Sequence, residues 1–182
     1  MAFLNIEIKA KCADPGKIRK WLQQNQADFK GTDLQTDTYF NTNKGRLKLR
    51  EGNIENNLIY YERENIVGLK NSHFHLVKIN DAPALKEVLI KAMGIKVVVK
   101  KKREIYYIGN VKFHIDEIEG LGSFVEIEAG NVLADISKEK LEGQCSFYMK
   151  EFGIEKRDLV AESYSDMLLE KLPDNNGSHF AG

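Results

Sequence analysis

The chain has 182 residues, 42% of them hydrophobic and 30% charged, a balance suited to a globular fold with a buried core. Lysine plus arginine equals aspartate plus glutamate at 27 each, and a formal net charge of zero argues against broad, non-specific nucleic-acid binding, which needs a basic excess. No apolar run approaches the length of a membrane span and charges begin at Glu7 with no signal-peptide stretch before them; Cys12 and Cys145 lie far apart in no metal-like spacing, which fits a cytoplasmic protein without a zinc site.

The first element is a strand over 3–11, where Ile6, Ile8 and Ala10 alternate with Asn5, Glu7, Lys9 and Lys11. Asp14-Pro15 reads as an N-cap followed by proline at the first helical position, and Ile18, Trp21 and Leu22 carry an apolar stripe through about Gln26. Strands are expected at about 35–42, 45–51, 57–64 and 72–80. A second helix starts after Asp81, sets Leu85, Val88, Leu89, Ala92 and Met93 on one face, and stops at Gly94. Strands follow at 96–109, 111–119 and 122–130, with the Gly109-Asn110 pair and the glycines of EGLGSF marking tight, antiparallel turns. A third helix runs from near Ser137 to Gly153, and a shorter one from about Ser163 to Leu172, ahead of Pro173. No linker interrupts this order, so the expectation is one α+β domain over 1–173 and a flexible tail over 174–182.

A period of two assigns the charges to strand faces. Arg46, Lys48 and Arg50 share one face of GRLKLRE; Lys101 and Arg103 share another; Lys112, His114 and Asp116 share a third; Glu126 and Glu128 share a fourth; Glu7 and Lys9 share a fifth. One such face is what any half-exposed antiparallel sheet presents to water. Five of them, if the sheet closes into a barrel, line an interior where unpaired charges cost too much, so the cavity would need a charged ligand. Converging lysines and arginines suit an anion rich in oxygens, such as a phosphate chain. Carboxylates beside such an anion require a divalent cation between them, and oxygen ligands point to Mg²⁺ or Mn²⁺. No Walker A sequence and no G-x-S-x-G is present.

In order along the chain, NIEIKAK, RLKLREG, LIYYERE, VVVKKKREIYY, HIDEIEGLGSFVEIE and SYSDML resemble the CYTH superfamily, which joins class IV (CyaB-type) adenylyl cyclases with thiamine triphosphatases. The resemblance covers nearly the whole chain. It implies the triphosphate tunnel, a closed antiparallel β-barrel flanked by helices that binds a triphosphate inside with Mg²⁺ or Mn²⁺. It implies that Lys9, Lys48, Arg50, Lys101 and Arg103, with Arg63 and Lys70, bind the phosphates. It implies that Glu7, Asp116, Glu126 and Glu128 bind metal. The family's opening E-x-E-x-K reads here as Asn5-x-Glu7-x-Lys9: Asn5 offers an amide oxygen but no charge. His114, on the face of Asp116, is in a position to touch the ligand.

The function expected is a metal-dependent enzyme on a triphosphate-containing small molecule (ATP, tripolyphosphate or thiamine triphosphate), most like a class IV adenylyl cyclase making cyclic AMP and pyrophosphate. The rivals are a tripolyphosphatase, thiamine triphosphatase or nucleoside triphosphatase, and a polyphosphate- or nucleotide-binding module without turnover. Neither a membrane nor nucleic acid is an expected partner, and a homodimer is compatible with the sequence.

Overall fold

A computed structural model describes residues 4–62, 67–131 and 136–172 of the chain, with backbone alone at 70–73. Among the described residues, eight strands and four α-helices follow in the order β1 (Asn5–Lys11), α1 (Pro15–Gln24), β2 (Asp28–Phe40), β3 (Arg46–Glu51), β4 (Asn57–Glu62), β5 (Lys70–Lys78), α2 (Ala82–Met93), β6 (Ile95–Ile108), β7 (Val111–Ile118), β8 (Gly122–Gly130), α3 (Lys138–Glu151) and α4 (Tyr164–Lys171). The expected tail and Arg63 lie outside the described residues.

The helices begin where side chains satisfy their first amides. Asp14 accepts from the Lys17 amide at 3.1 Å, Asp81 from that of Ala84 at 3.1 Å, and Ser163 and Asp166 cap α4 reciprocally. Gly94, at φ 70°, turns the chain out of α2 into β6.

All strand pairings are antiparallel, and neighbours run in the order β1-β5-β4-β3-β2-β6-β7-β8. β1 pairs with β8 along its whole length, from Asn5 opposite Gly130 to Lys11 opposite Phe124. β1 also meets β5, over Asn5 to Glu7 only. The sheet is therefore strongly curled, and the α+β class and antiparallel pairing agree with the sequence reading. The main boundary difference is at β2, which starts at Asp28 rather than near 35. Residues 28–34 carry no apolar alternation; their pairing with Lys102–Tyr107 of β6 makes them a strand.

The outer face carries the principal core. Ile6, Ile8 and Ala10 of β1, Phe113 and Ile115 of β7, and Val125, Ile127 and Ala129 of β8 pack beneath Ile18 and Leu22 of α1 and Leu141 and Cys145 of α3. Phe40 and Leu49 pack under Ala82, Leu85, Leu89 and Met93 at α2. Burying each large aliphatic side chain is worth about 1.5–3 kcal/mol, so this contact fixes which way every strand faces. With Ile6, Ile8 and Ala10 held outward, the alternation turns Asn5, Glu7 and Lys9 inward. Toward one end of the strands the interior holds an apolar cluster: Tyr39, Ile59, Tyr61, Val99, Ile118 and Phe124, joined by Val160 and Tyr164. No helix among the described residues is long and apolar enough to cross a membrane.

Candidate functional site

Inside the curl is a cavity of about 200 Å³, smaller than the roughly 300–1,000 Å³ of sites that enclose whole drug-sized ligands. Six cationic side chains line it among the described residues: Lys9, Lys48, Arg50, Lys101, Arg103 and Lys112. Glu7, Glu55, Glu126 and Glu128 line it too, with Asn5, His114, Tyr164 and an apolar strip of Ile59, Tyr61, Phe74 and Leu76 on β4 and β5. Five charged faces on five strands thus meet in one place, as their periodicity suggests.

Each cation is held by a carboxylate, and the sharing is unequal. Asp37 of β2, 1% exposed, accepts from Lys48 at 3.0 Å, from Lys101 at 2.7 Å, and from Arg50 through Nε at 2.8 Å and Nη2 at 3.0 Å. Burial alone would raise its pKa; the charges of Arg50, Lys101 and Lys48 outweigh that and hold it well below the usual carboxylate range. Lys101 carries the strain of the arrangement. Burial, then the neighbouring Arg50 charge, push its ammonium pKa well down against the pull of Asp37. Buried Arg50 and Lys101 and half-buried Lys48 share one carboxylate here, and among the described residues only Arg50 has a second, Glu55 at 2.8 Å.

Arg103 forms a second node. Its Nε and Nη2 donate to the two oxygens of Asp116 at 2.7 and 2.5 Å, and Nη2 also reaches Glu126 at 2.8 Å. Tyr164 donates to Asp116 at 2.9 Å. Asp116 therefore stands behind Arg103 with both oxygens engaged, and it is not among the residues lining the cavity. Lys9 lies 3.4 Å from Glu126 and 4.0 Å from the centre of the Tyr164 ring.

The carboxylates of β8 meet His114 instead. The strand register sets His114 directly opposite Glu126. Its Nδ1 lies 3.1 Å from Glu126 and 3.4 Å from Glu128. Burial, then the charge of Arg103, lower the imidazole pKa from its ordinary 6.5, so the ring is neutral at pH 7. Ligand atoms of His114, Glu126 and Glu128 all lie within 4.8 Å of one another. Glu7 faces Glu128 across the β1–β8 ladder, and Asn5 donates to Glu128 at 3.5 Å. Lys70 pairs through its backbone with Glu7, while its side chain lies outside the described residues.

Sequence does not single out Asp37, Glu55 or Tyr164, and it places Lys112 on a charged strand face without giving it a role. For Asp37 the signal was present, since Asp33, Gln35, Asp37 and Tyr39 alternate along one strand face. Glu55 gave no signal of that kind. It sits on the β3–β4 loop, which buried Asp33 anchors by accepting from the Ile54 and Glu55 amides at 2.9 and 3.0 Å. There Glu55 bridges Arg50 and Lys112, each at 2.8 Å. Gly52 gives Asp33 its room: a Cβ at Gly52 would lie 2.5 Å from Asp33 Oδ1.

The comparisons with known proteins agree with this architecture. The chain is 28% identical over 177 residues to a Methanocaldococcus jannaschii protein named "Putative adenylate cyclase", covering 90% of this chain and 98% of that one. The structure of PH1012 protein from Pyrococcus horikoshii superposes with a TM-score of 0.75 at 23% identity, covering 89% of this chain and 98% of that one. A Hippeastrum protein, named a "Putative adenylyl cyclase" and described as having a dominant triphosphatase activity, superposes with a TM-score of 0.62 at 18% identity, covering 91% and 94%. At these identities the solved structures share the fold. The model of the CYTH domain matches residues 4–164, and the chain belongs to the CYTH domain family.

Proposed function

We propose that this chain is a divalent-metal-dependent enzyme acting on a triphosphate, carried on one domain over residues 1–173 whose curled sheet closes into a triphosphate tunnel. The carrying observation is the node at Asp37, where Lys48, Arg50 and Lys101 share one buried carboxylate. A buried site with more cation than carboxylate is costly until an anion completes it. A phosphate chain supplies several charged oxygens, and arginine grips two at once. In this reading Lys9 takes part from β1 and Arg103 from β6, the strand that also carries Lys101, with Arg63 and Lys70 as further cations beyond the described side chains. The cavity's size suits the phosphate chain rather than a whole nucleotide, and the strip of Ile59, Tyr61, Phe74 and Leu76 supports an organic group on that chain.

The donor set fits a divalent cation. Glu7 and Glu128 stand opposite each other on one face, and Glu128 lies beside Glu126 and His114 in the cavity lining. Glu7, Glu126 and Glu128 would hold it, with Asn5 offering an amide oxygen. When bound, the metal neutralises phosphate charge as bond order to the leaving group falls. Asp116 serves differently in this account: it fixes the Arg103 guanidinium that meets the phosphates.

The reaction supported first is that of a class IV adenylyl cyclase, in which the ribose 3′-hydroxyl attacks the α-phosphorus of ATP and pyrophosphate leaves. The protein's own contribution is to align the chain and hold its charge. The second reading, hydrolysis by water at the terminal phosphorus, is favoured by the activity of the Hippeastrum protein. One panel separates them: ATP, tripolyphosphate and thiamine triphosphate, each with Mg²⁺ or Mn²⁺, with all products identified. Cyclic AMP with pyrophosphate supports the cyclase and orthophosphate the hydrolase. Binding without product, seen as thermal stabilisation by the ligand, would identify a binding module.

A further inference from the structure

We propose that His114 is a direct ligand of the divalent cation, and that its nitrogen makes the site select Mn²⁺ over Mg²⁺. The proposal rests on the metal reading above and names the ion that reading leaves open. Across the β7–β8 ladder it is His114, and not Asp116, that stands opposite Glu126. Its ring, 1% exposed, lines the cavity with Glu126 and Glu128, and the three offer ligand atoms within 4.8 Å of one another. Asp116 has no such freedom, since Arg103 and Tyr164 occupy its oxygens.

The nitrogen placed to bind is Nδ1, 3.1 Å from Glu126 and 3.4 Å from Glu128. Nε2, on the other ring edge, is buried without a hydrogen-bond partner among the described residues and lies outside that ligand set.

The donor chemistry then decides the ion. Mg²⁺ prefers oxygen donors and holds its waters tightly, whereas imidazole suits the first-row transition metals.

The test uses the whole protein with Mn²⁺ or Mg²⁺ as chlorides, in the absence of nucleotide. Pulsed electron paramagnetic resonance of bound Mn²⁺ reads nitrogen in the first coordination shell directly and needs no variant. Calorimetry gives the two affinities. The expected result is a ¹⁴N coupling from one imidazole and Mn²⁺ binding at least tenfold tighter than Mg²⁺. His114→Asn should remove the coupling, and His114→Asp should narrow the margin between the ions by about tenfold or more, the scale that losing even an outer partner costs. Mn²⁺ bound with no nitrogen coupling, equal affinities for the two ions, or no metal binding would each overturn the proposal. Tripolyphosphate binding on the same sample separates the two readings. Its absence beside a nitrogen-coupled Mn²⁺ would sink the triphosphate assignment and leave His114 as a ligand.

Discussion

Asp37 is the residue on which the cationic wall depends. Truncating one partner of a buried ion pair commonly costs about 3–5 kcal/mol, because the remaining charge is left uncompensated. Asp37→Ala strands Lys48 and Lys101 and removes two of Arg50's three carboxylate hydrogen bonds, so urea unfolding should show a loss at the upper end of that range. A loss under 1 kcal/mol would mean the cations find other partners. The buried carboxylates also set the response to acid. Asp37, Glu126 and Asp116 are held below their ordinary values by adjacent cations, which outweigh burial, and His114 is lowered chiefly by burial. For every one of these groups the unfolded chain binds more protons, so stability must fall as pH falls. The loss should begin below the imidazole's ordinary 6.5 and steepen below the carboxylates' 4.5 and 3.8. Unfolding free energies measured from pH 7 to 3 check the sign, and a rise on acidification would contradict it. At this scale sequence goes only so far. Period two places His114 and Asp116 on one face equally well, and only the register with β8 shows which of them meets Glu126.

At the scale of elements, the helices act on the site through the outer face. Leu141 of α3 is fully buried against β1 and β8 and touches nothing in the cavity. Leu141→Ala should cost about 2–5 kcal/mol of stability, read by thermal or urea unfolding. Tripolyphosphate affinity should stay unchanged while the protein is folded. Removing the Asp81 cap should cost about 1 kcal/mol with the same silence at the site. Caps and periodicity made these helices legible in sequence to within a residue or two, because the signals are local. The start of β2 was not legible. Asp28, Lys30 and Gly31 carry no strand pattern, and a long-range ladder with β6 overrides their weak propensity. Glu55 was hidden for a related reason, since a loop side chain has no period and its place depends on Asp33, two strands away.

For the molecule as a whole, the apolar faces determine where the charges go. Covering the outer face of β1, β7 and β8 with α1 and α3 leaves the alternating polar positions no direction but inward. That logic was readable from the chain alone, and so was the convergence of Lys9, Lys48, Arg50, Lys101 and Arg103. Of the carboxylates that organise them, Asp116 and Glu126 were legible as charged-face residues, whereas Asp37 and Glu55 came from the packed structure. The central claim is that this convergence exists to hold a phosphate chain. Isothermal titration of tripolyphosphate into the protein, and into Lys48→Ala, tests it most directly. The account predicts saturable one-to-one binding that weakens with salt, and a loss in Lys48→Ala of about 1.5–3 kcal/mol, the worth of a charged hydrogen bond. No binding, or equal binding by the two proteins, would contradict it.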